Sequence, residues 1–307
     1  MDNKWYFDIA AGAIDDLREH ISQITTLIPF WYGVKPDGTL ADMSSQDVKS
    51  IASQNNLPIF PIVHNYSDPK KSQLIHDLIS NASLRNILVN NIANMALLNN
   101  YPGINIDFEF VPPEDRSNLN AFMEELYNAL KSIGKIVTIS LPAETEDNPR
   151  HPFSGAFQYT VLSQFTDQAY VLAYDEHFSK PGPIASIGFV RSVLDYAAKS
   201  IETKKIWLGM AVYGYDWAEG SNYPRTLSYF QAIETAKNLG VKIEYDETAQ
   251  ESTYTYTVDS IKHTVWFEDA RSFQAKLPLV TQYGISGIAV WRLGQEDPNV
   301  WNILSRI

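Results

Sequence analysis

Asn105, Asp107 and Glu109 hold alternate positions in the segment GINIDFEF, residues 103–110. Ile104, Ile106, Phe108 and Phe110, all apolar, stand between them. Alternate side chains of a β-strand share a face, so the amide and the two carboxylates form one row. Neighbours in such a row stand ~6.5–7 Å apart along the strand, close enough for carboxylates to interact. Burial and a nearby anion both raise a carboxyl pKa. An acid kept protonated near neutral pH can give its proton to a leaving group. The competing reading is a structural pair bonded to backbone or arginine. Three polar residues in one row favour catalysis over that reading.

The elements around the row say where it points. Short β-rich apolar runs predict strands at residues 5–8, 26–32, 58–64, 104–110, 136–141, 169–174, 206–213 and 286–291. Amphipathic stretches fall between them. SLRNILVNNIANMALLNN places Leu84, Ile87, Leu88, Ile92, Met95 and Leu98 near helical spacing. SNLNAFMEELYNALKSIG repeats the pattern with Leu119, Phe122, Leu126 and Leu130, then stops at Gly134. FVRSVLDYAAKSI does so with Val190, Val193, Leu194 and Ala197. Strands alternating with helices predict an α/β fold with a parallel sheet, and eight such units predict a (β/α)8 TIM barrel.

The first seven strand starts are 21 to 46 residues apart, but the last two are separated by 80. The excess holds a helical stretch, TLSYFQAIETAKNLG, and the alternating runs STYTYTV and HTVWF. A small α+β insertion is therefore expected at residues 213–283, between strands seven and eight. Residues 1–212 and 284–307 would then form the barrel, close to the usual ~250-residue size. In a barrel the helix-facing row must be the apolar one. That turns Asn105, Asp107 and Glu109 inward, with Glu109 nearest the catalytic mouth. Trp31, Tyr32, His64 and Asn65 end strands two and three. They are candidates to line the cleft or to pack beneath it.

The 307 residues are 45% apolar and 12% aromatic, enough for one large domain. The formal charge is −12, and no run of Lys or Arg appears, so nucleic acid and anionic membrane are poor partners. Seven Trp and 17 Tyr suit a neutral carbohydrate. With no cysteine, disulfides, Cys–zinc sites and thiol nucleophiles are excluded. No apolar run reaches the ~18 residues of a membrane span, and the first residues show no basic-then-apolar leader. His177 beside Asp175 and Glu176 matches no common metal spacing, so no metal or other cofactor is expected. The triplets NYS (65–67) and NAS (81–83) fit the glycan-acceptor pattern but arise readily by chance. There is no Walker loop, GxGxxG or GxSxG motif.

GINIDFE resembles the fourth-strand signature of the family-18 glycoside hydrolases, the chitinase-like family. LAYDEH (172–177), LGMAVYGYDW (208–217) and GIAVWRLG (287–294) resemble its sixth, seventh and eighth strands in order. The resemblance covers essentially the whole chain. FEFVPPEDR, YDEH, YGYDW and VWFEDARSFQAKL are similar to the spore-germination and cortex-lytic branch. That branch implies a spore or cell-wall setting. Pro102 stands where the family signature has its first aspartate, and Asn105 replaces the second. The acid position is kept as Glu109, which chitinase-like lectins typically lose.

The resemblance implies a retaining glycosidase assisted by its substrate, an exception to the two-carboxylate scheme. Glu109 would protonate the glycosidic oxygen and later activate water. The sugar's own 2-acetamido oxygen would attack the anomeric carbon, and Asp107 would orient the acetamido N–H. Tyr174 would hydrogen-bond the acetamido oxygen. Asp175 would meet a sugar hydroxyl or the carboxylate cluster. Trp291 would floor the sugar subsite. Asn105, Tyr213, Trp31 and Asn65 complete the candidates for substrate binding. The partner would be an N-acetylated glycan, from peptidoglycan or chitin, acted on by a monomer. A non-catalytic glycan-binding barrel, and a barrel hydrolase using two protein carboxylates or a metal, stand as alternatives.

Overall fold

The period-2 runs assemble into two sheets. A computed structural model describes residues 5–9, 13–66 and 68–306, with the backbone alone for 5–9. The larger sheet runs in the order Thr26–Leu27, Trp5–Ile9, Gly287–Leu293, Ile206–Ala211, Gln168–Leu172, Ile136–Pro142, Gly103–Asp107, Ile62–His64, Phe30–Val34 and Leu40–Asp42. Every neighbouring pair is parallel except the last. All the parallel strands therefore present their C-terminal ends on one side.

The helices arise where the apolar spacing predicts them. Ala82–Leu98 starts where the Asn81 side chain accepts the N–H groups of Ser83 and Leu84. Arg116–Ser132 is followed by Gly134 at φ 71°, a left-handed position that glycine occupies without strain. Ile187–Ser200 is capped by Ser186.

Both faces of the parallel sheet are covered. Ile104, Ile106, Val137, Ile139 and Leu208 pack on the helices in the main core. The opposite face carries a separate cluster of Ile28, Phe60, Ile62, Tyr170 and Trp207, with Phe30, Leu172 and Trp291 against it. Asn105 lies on that face and is tied to its neighbours at both ends of its amide. Its Nδ2 donates to Ser140 Oγ (2.9 Å), and its Oδ1 accepts from Thr138 Oγ1 (2.8 Å). Gly103, two residues earlier in the row, is required by space. A Cβ there would stand 2.9 Å from the Phe60 ring.

Two of the expected strands break or end early. The strand expected at 26–32 breaks at Ile28–Pro29, because Pro29 has no N–H for the ladder; its carbonyl still accepts from Ile62 N–H. The strand expected at 104–110 ends at Asp107. Phe110, expected on the helix-facing row, is 39% exposed and has φ 55°. Phe108 keeps its expected place, packed on Phe122 at 5.2 Å between ring centroids. The antiparallel strand Leu40–Asp42 is one the apolar pattern does not announce.

The smaller sheet is wholly antiparallel, in the order Arg225–Ser228, Tyr213–Ala218, Ile261–Phe267, Glu251–Val258 and Glu244–Asp246. The helix Tyr229–Leu239 covers it, opened by a capping box of Ser228 and Gln231 and closed by Gly240 at φ 64°. Its own core is Leu227, Ala232, Ala236, Tyr254, Val265 and Phe267.

Candidate active site

The parallel strand ends bring distant segments to one cavity of about 790 Å³. Asp107 closes its strand, and Glu109 follows two residues later. Tyr174 and Asp175 follow the strand Gln168–Leu172. Tyr213 and Tyr215 begin the smaller sheet, and Trp291 stands near the end of Gly287–Leu293. All seven line the cavity. It has the size of a small-molecule or oligomer site and mixes apolar walls with convergent polar groups.

Glu109 is held at three points. Its backbone N–H donates to Asn65 Oδ1 (2.9 Å), and its carbonyl accepts from Asn65 Nδ2 (2.6 Å). Its carboxylate Oε2 accepts from Tyr66 Oη (2.8 Å). Because Glu109 lies beyond the last ladder bond of its strand, Asn65 supplies the backbone pairing that the sheet no longer gives. Burial raises the Glu109 carboxyl above its ordinary range. The Tyr66 hydrogen bond and the Lys71 ammonium oppose that, and Asp175 adds to it.

Asp175 faces the cavity with a left-handed backbone, φ 57°. Its Oδ1 accepts from both Tyr213 Oη (2.5 Å) and Tyr215 Oη (2.7 Å). Although it is accessible from the cavity, protein surrounds it, and that burial raises its pKa against the pull of the two phenols. Asp107 is 7% exposed. Trp291 is half-buried, its ring edge-on to Phe30 at 6.1 Å. Tyr174 packs edge-on to Tyr213 at 6.3 Å.

Five of the sequence candidates lie elsewhere. Trp31 is on the helix-facing side, in the main core, with Lys49 Nζ 5.7 Å from a ring centroid. Asn105 lies beneath the cavity rather than in its wall, tied to Thr138 and Ser140. Asn65 is 0% exposed and spends its amide on the backbone of Glu109 and Lys71. It is a positioning residue in this geometry. His64 is also buried, stacked on Phe30 at 3.7 Å, and burial pushes its pKa down to about 4. Tyr32 packs on the outer side, its hydroxyl bonded to that of Tyr101 (3.1 Å).

Sequence reasoning missed Tyr66, Tyr215 and Arg292, which line the cavity. Tyr215 was recoverable, since it is two residues from Tyr213 and shares its face of the strand. Tyr66 had no local signal, because it sits in a loop. Among the described residues, no group of three or more His, Cys, Asp or Glu is arranged to hold a metal ion. His177 Nδ1 faces the Pro183 carbonyl at 3.1 Å.

The sequence model of the glycosyl hydrolases family 18 matches residues 6–296. The chain belongs to that family. As a family 18 member it is a glycosidase. A cortical fragment-lytic enzyme of Bacillus anthracis is 32% identical over 290 residues, spanning 92% of this chain and 67% of that enzyme. The solved spore cortex-lytic enzyme SleL of Bacillus cereus superposes with a TM-score of 0.90 at 29% identity, covering 99% of this chain and 73% of the other. A chitinase from Chromobacterium violaceum gives 0.92 at 26% identity, covering 99% and 98%. This family 18 chain is thus similar both to cortex-lytic enzymes and to a chitinase.

Proposed function

We propose that the protein hydrolyses the bond beside an N-acetylglucosamine in peptidoglycan of the spore-cortex type, with retention, using the substrate's acetamido group as nucleophile. The observation that carries this is the Glu109 carboxyl, raised by burial and clamped by Asn65 and Tyr66 in one cavity with Asp107, Tyr174 and Trp291. The cortical fragment-lytic relatives support the choice of glycan.

In this reading Glu109 gives its proton to the glycosidic oxygen as the C–O bond breaks. The acetamido oxygen closes on the anomeric carbon, forming an oxazolinium-type ring. Asp107 orients the acetamido N–H and balances the charge that develops there. Tyr174 donates to the acetamido oxygen, and Trp291 carries the apolar face of the sugar. Glu109, now a base, takes a proton from the water that opens the ring. Because the nucleophile is already part of the bound sugar, proximity supplies much of the acceleration. Asp175, with Tyr213 and Tyr215 on one of its oxygens, keeps the other free to meet the carboxylate cluster or a sugar hydroxyl.

The scaffold reading is that the parallel strands close into a (β/α)8 barrel, with 213–283 as an insertion on it. Support comes from Thr26–Leu27, which pairs with Trp5–Ile9 on one side and bridges Ile59 on the other. The backbone bonds Leu27 N–H to Pro58 O (2.9 Å) and Phe60 N–H to Leu27 O (2.8 Å) lie at that seam.

The direct test is mass spectrometry of the products from purified spore-cortex peptidoglycan, beside chitooligosaccharides. Fragments ending in reducing N-acetylglucosamine are expected from the cortex glycan. Cleavage of chitooligosaccharides alone would keep the chemistry and replace the substrate. The chitinase neighbour is the specific reason to include that arm. Binding without turnover on either would favour a glycan-binding module.

The pH profile has a defined sign. The Tyr66 hydrogen bond favours the ionised form of Glu109, so its loss raises the Glu109 pKa further. Tyr66→Phe should therefore move the alkaline limb of kcat/KM to higher pH. A limb that stays put or moves down would remove Glu109 as the group behind it.

A further inference from the structure

We infer that Arg292 is a carboxylate receptor inside the glycan cavity, so the glycan this enzyme prefers carries a carboxylate next to its N-acetylated sugar. This rests on the hydrolase reading above and narrows its substrate. Arg292 lines the same cavity as Glu109 and Trp291. Its guanidinium carbon is 5.5 Å from the Trp291 ring centroid, so it stands beside the proposed sugar floor. The side chain is half-buried.

Arg85, Arg116, Arg225 and Arg271 each bond a carboxylate of the chain. Arg292 has no such partner, and its guanidinium donates no hydrogen bond among the described residues. Five N–H donors in a rigid fork thus reach the cavity over the Trp291 ring, with no hydrogen bond or ion pair to another described residue.

The surrounding charge makes this informative. The other Asp, Glu, Lys or Arg side chains lining the cavity are all acidic: Asp107, Glu109, Asp175 and Glu176. The whole chain carries −12. Lys71, the nearby cation, is engaged with aromatic rings, 3.7 Å from the Tyr66 centroid and 4.3 Å from that of Phe110. An acidic glycan would be repelled by such a mouth unless one cation met its charge at a fixed place. A guanidinium pairs a carboxylate through two parallel bonds and fixes its orientation. A neutral glycan offers it hydroxyl and carbonyl acceptors but no charge to pair. The carboxylate has two possible sources on an N-acetylated wall glycan: the lactyl ether of a muramic acid, or the terminal carboxylate of an amino acid joined to that ether.

Binding, not turnover, tests this. Glu109→Gln protein is titrated calorimetrically with three disaccharides: N-acetylglucosaminyl-N-acetylmuramic acid with its lactyl acid free, the same sugar with L-alanine on that acid, and N,N′-diacetylchitobiose. The titrations are repeated with Arg292→Gln and with Arg292→Lys added. One of the two acidic ligands is expected to bind about tenfold or more tighter than chitobiose, and which one identifies the source. Arg292→Gln should collapse that ratio about tenfold, and Arg292→Lys should restore part of it. A ratio unchanged by Arg292→Gln, equal weakening of all three ligands, or no preference in the parent would each overturn the assignment. Turnover by the unaltered enzyme is read separately. Hydrolysis with no Arg292-dependent ratio sinks this inference alone. An Arg292-dependent ratio without hydrolysis sinks the catalytic reading and keeps the receptor.

Discussion

Glu109→Gln should leave a folded protein that no longer turns over glycan, with kcat reduced by about 10²–10⁴ and KM little changed. Glutamine matches glutamate in shape and can still accept the Tyr66 hydroxyl bond and keep the Asn65 clasp on the backbone. It cannot give up a proton. It also carries no charge, so the burial that raises the Glu109 pKa imposes no penalty on it. Thermal stability should therefore equal or exceed that of the parent. An activated substrate, whose leaving group departs without protonation, should lose much less in the first step. Initial rates on both kinds of glycan, with a melting curve for each protein, decide the matter. A rate within tenfold of the parent on an ordinary glycan would move the acid to another residue. A collapsed melting curve would instead make Glu109 structural.

The second large effect concerns stability and sits outside the cavity. Lys276 bonds the Glu268 carboxylate and lies 3.4 Å from Glu251 Oε1, with all three side chains buried. Glu251 in turn accepts the N–H groups of Ile184 (2.8 Å) and Ala185 (2.6 Å). Those two residues belong to the segment that follows Asp175, and Glu176 binds Ser186 N–H within it (2.8 Å). The triad therefore fastens the Asp175 segment to the smaller sheet. Lys276→Met removes the one cation and leaves two buried carboxylates, which should cost about 3–5 kcal/mol near neutral pH.

The pH dependence of that loss has a definite sign. Burial, with Glu251 adding and Lys276 opposing, raises Glu268 to about 8. Without Lys276 it rises further. A carboxyl whose folded pKa lies above its unfolded value favours the folded state fully below the unfolded value. That contribution is lost as pH rises through the folded value. Both proteins lose stability alike while folded Glu268 keeps its proton, so the Lys276→Met protein should fall more steeply than the parent in the window from about pH 7 to about pH 9, where the parent's loss levels off. Urea midpoints at several pH values in that window measure it. Adding Glu268→Gln should recover part of the loss at pH 8. A deficit independent of pH, or below about 1 kcal/mol, would mean that the triad carries little of the fold.

Much of this was legible in the sequence. The alternation in GINIDFEF put Asp107 and Glu109 on the inner row, and both line the cavity. Tyr174, Asp175, Tyr213 and Trp291 were reached through the family resemblance, and they line the same cavity because the parallel strands send their C-terminal ends to one side. The helices were legible from their period and their glycine stops. The antiparallel character of the smaller sheet was carried by STYTYTV and HTVWF, which pair as Glu251–Val258 with Ile261–Phe267.

Other features had no sequence signal that local rules could use. In FWY, residues 30–32, three aromatic neighbours show no polar row, so period 2 cannot say which side faces in. The ladder shifts register between Phe30 and Tyr32, leaving Phe30 on the inner face and Trp31 in the helix-packed core. Asn65 looked like a wall residue, yet both ends of its amide are used by a segment 44 residues away. Tyr66 and the triad of Glu251, Glu268 and Lys276 likewise act through contacts between distant segments. Periodicity fixed which side chains share a face, since that depends only on backbone geometry over a few residues. Which groups meet across the cavity, which are satisfied by the chain itself and which remain for a ligand depended on how the strand ends converge, and that is a property of the tertiary fold alone.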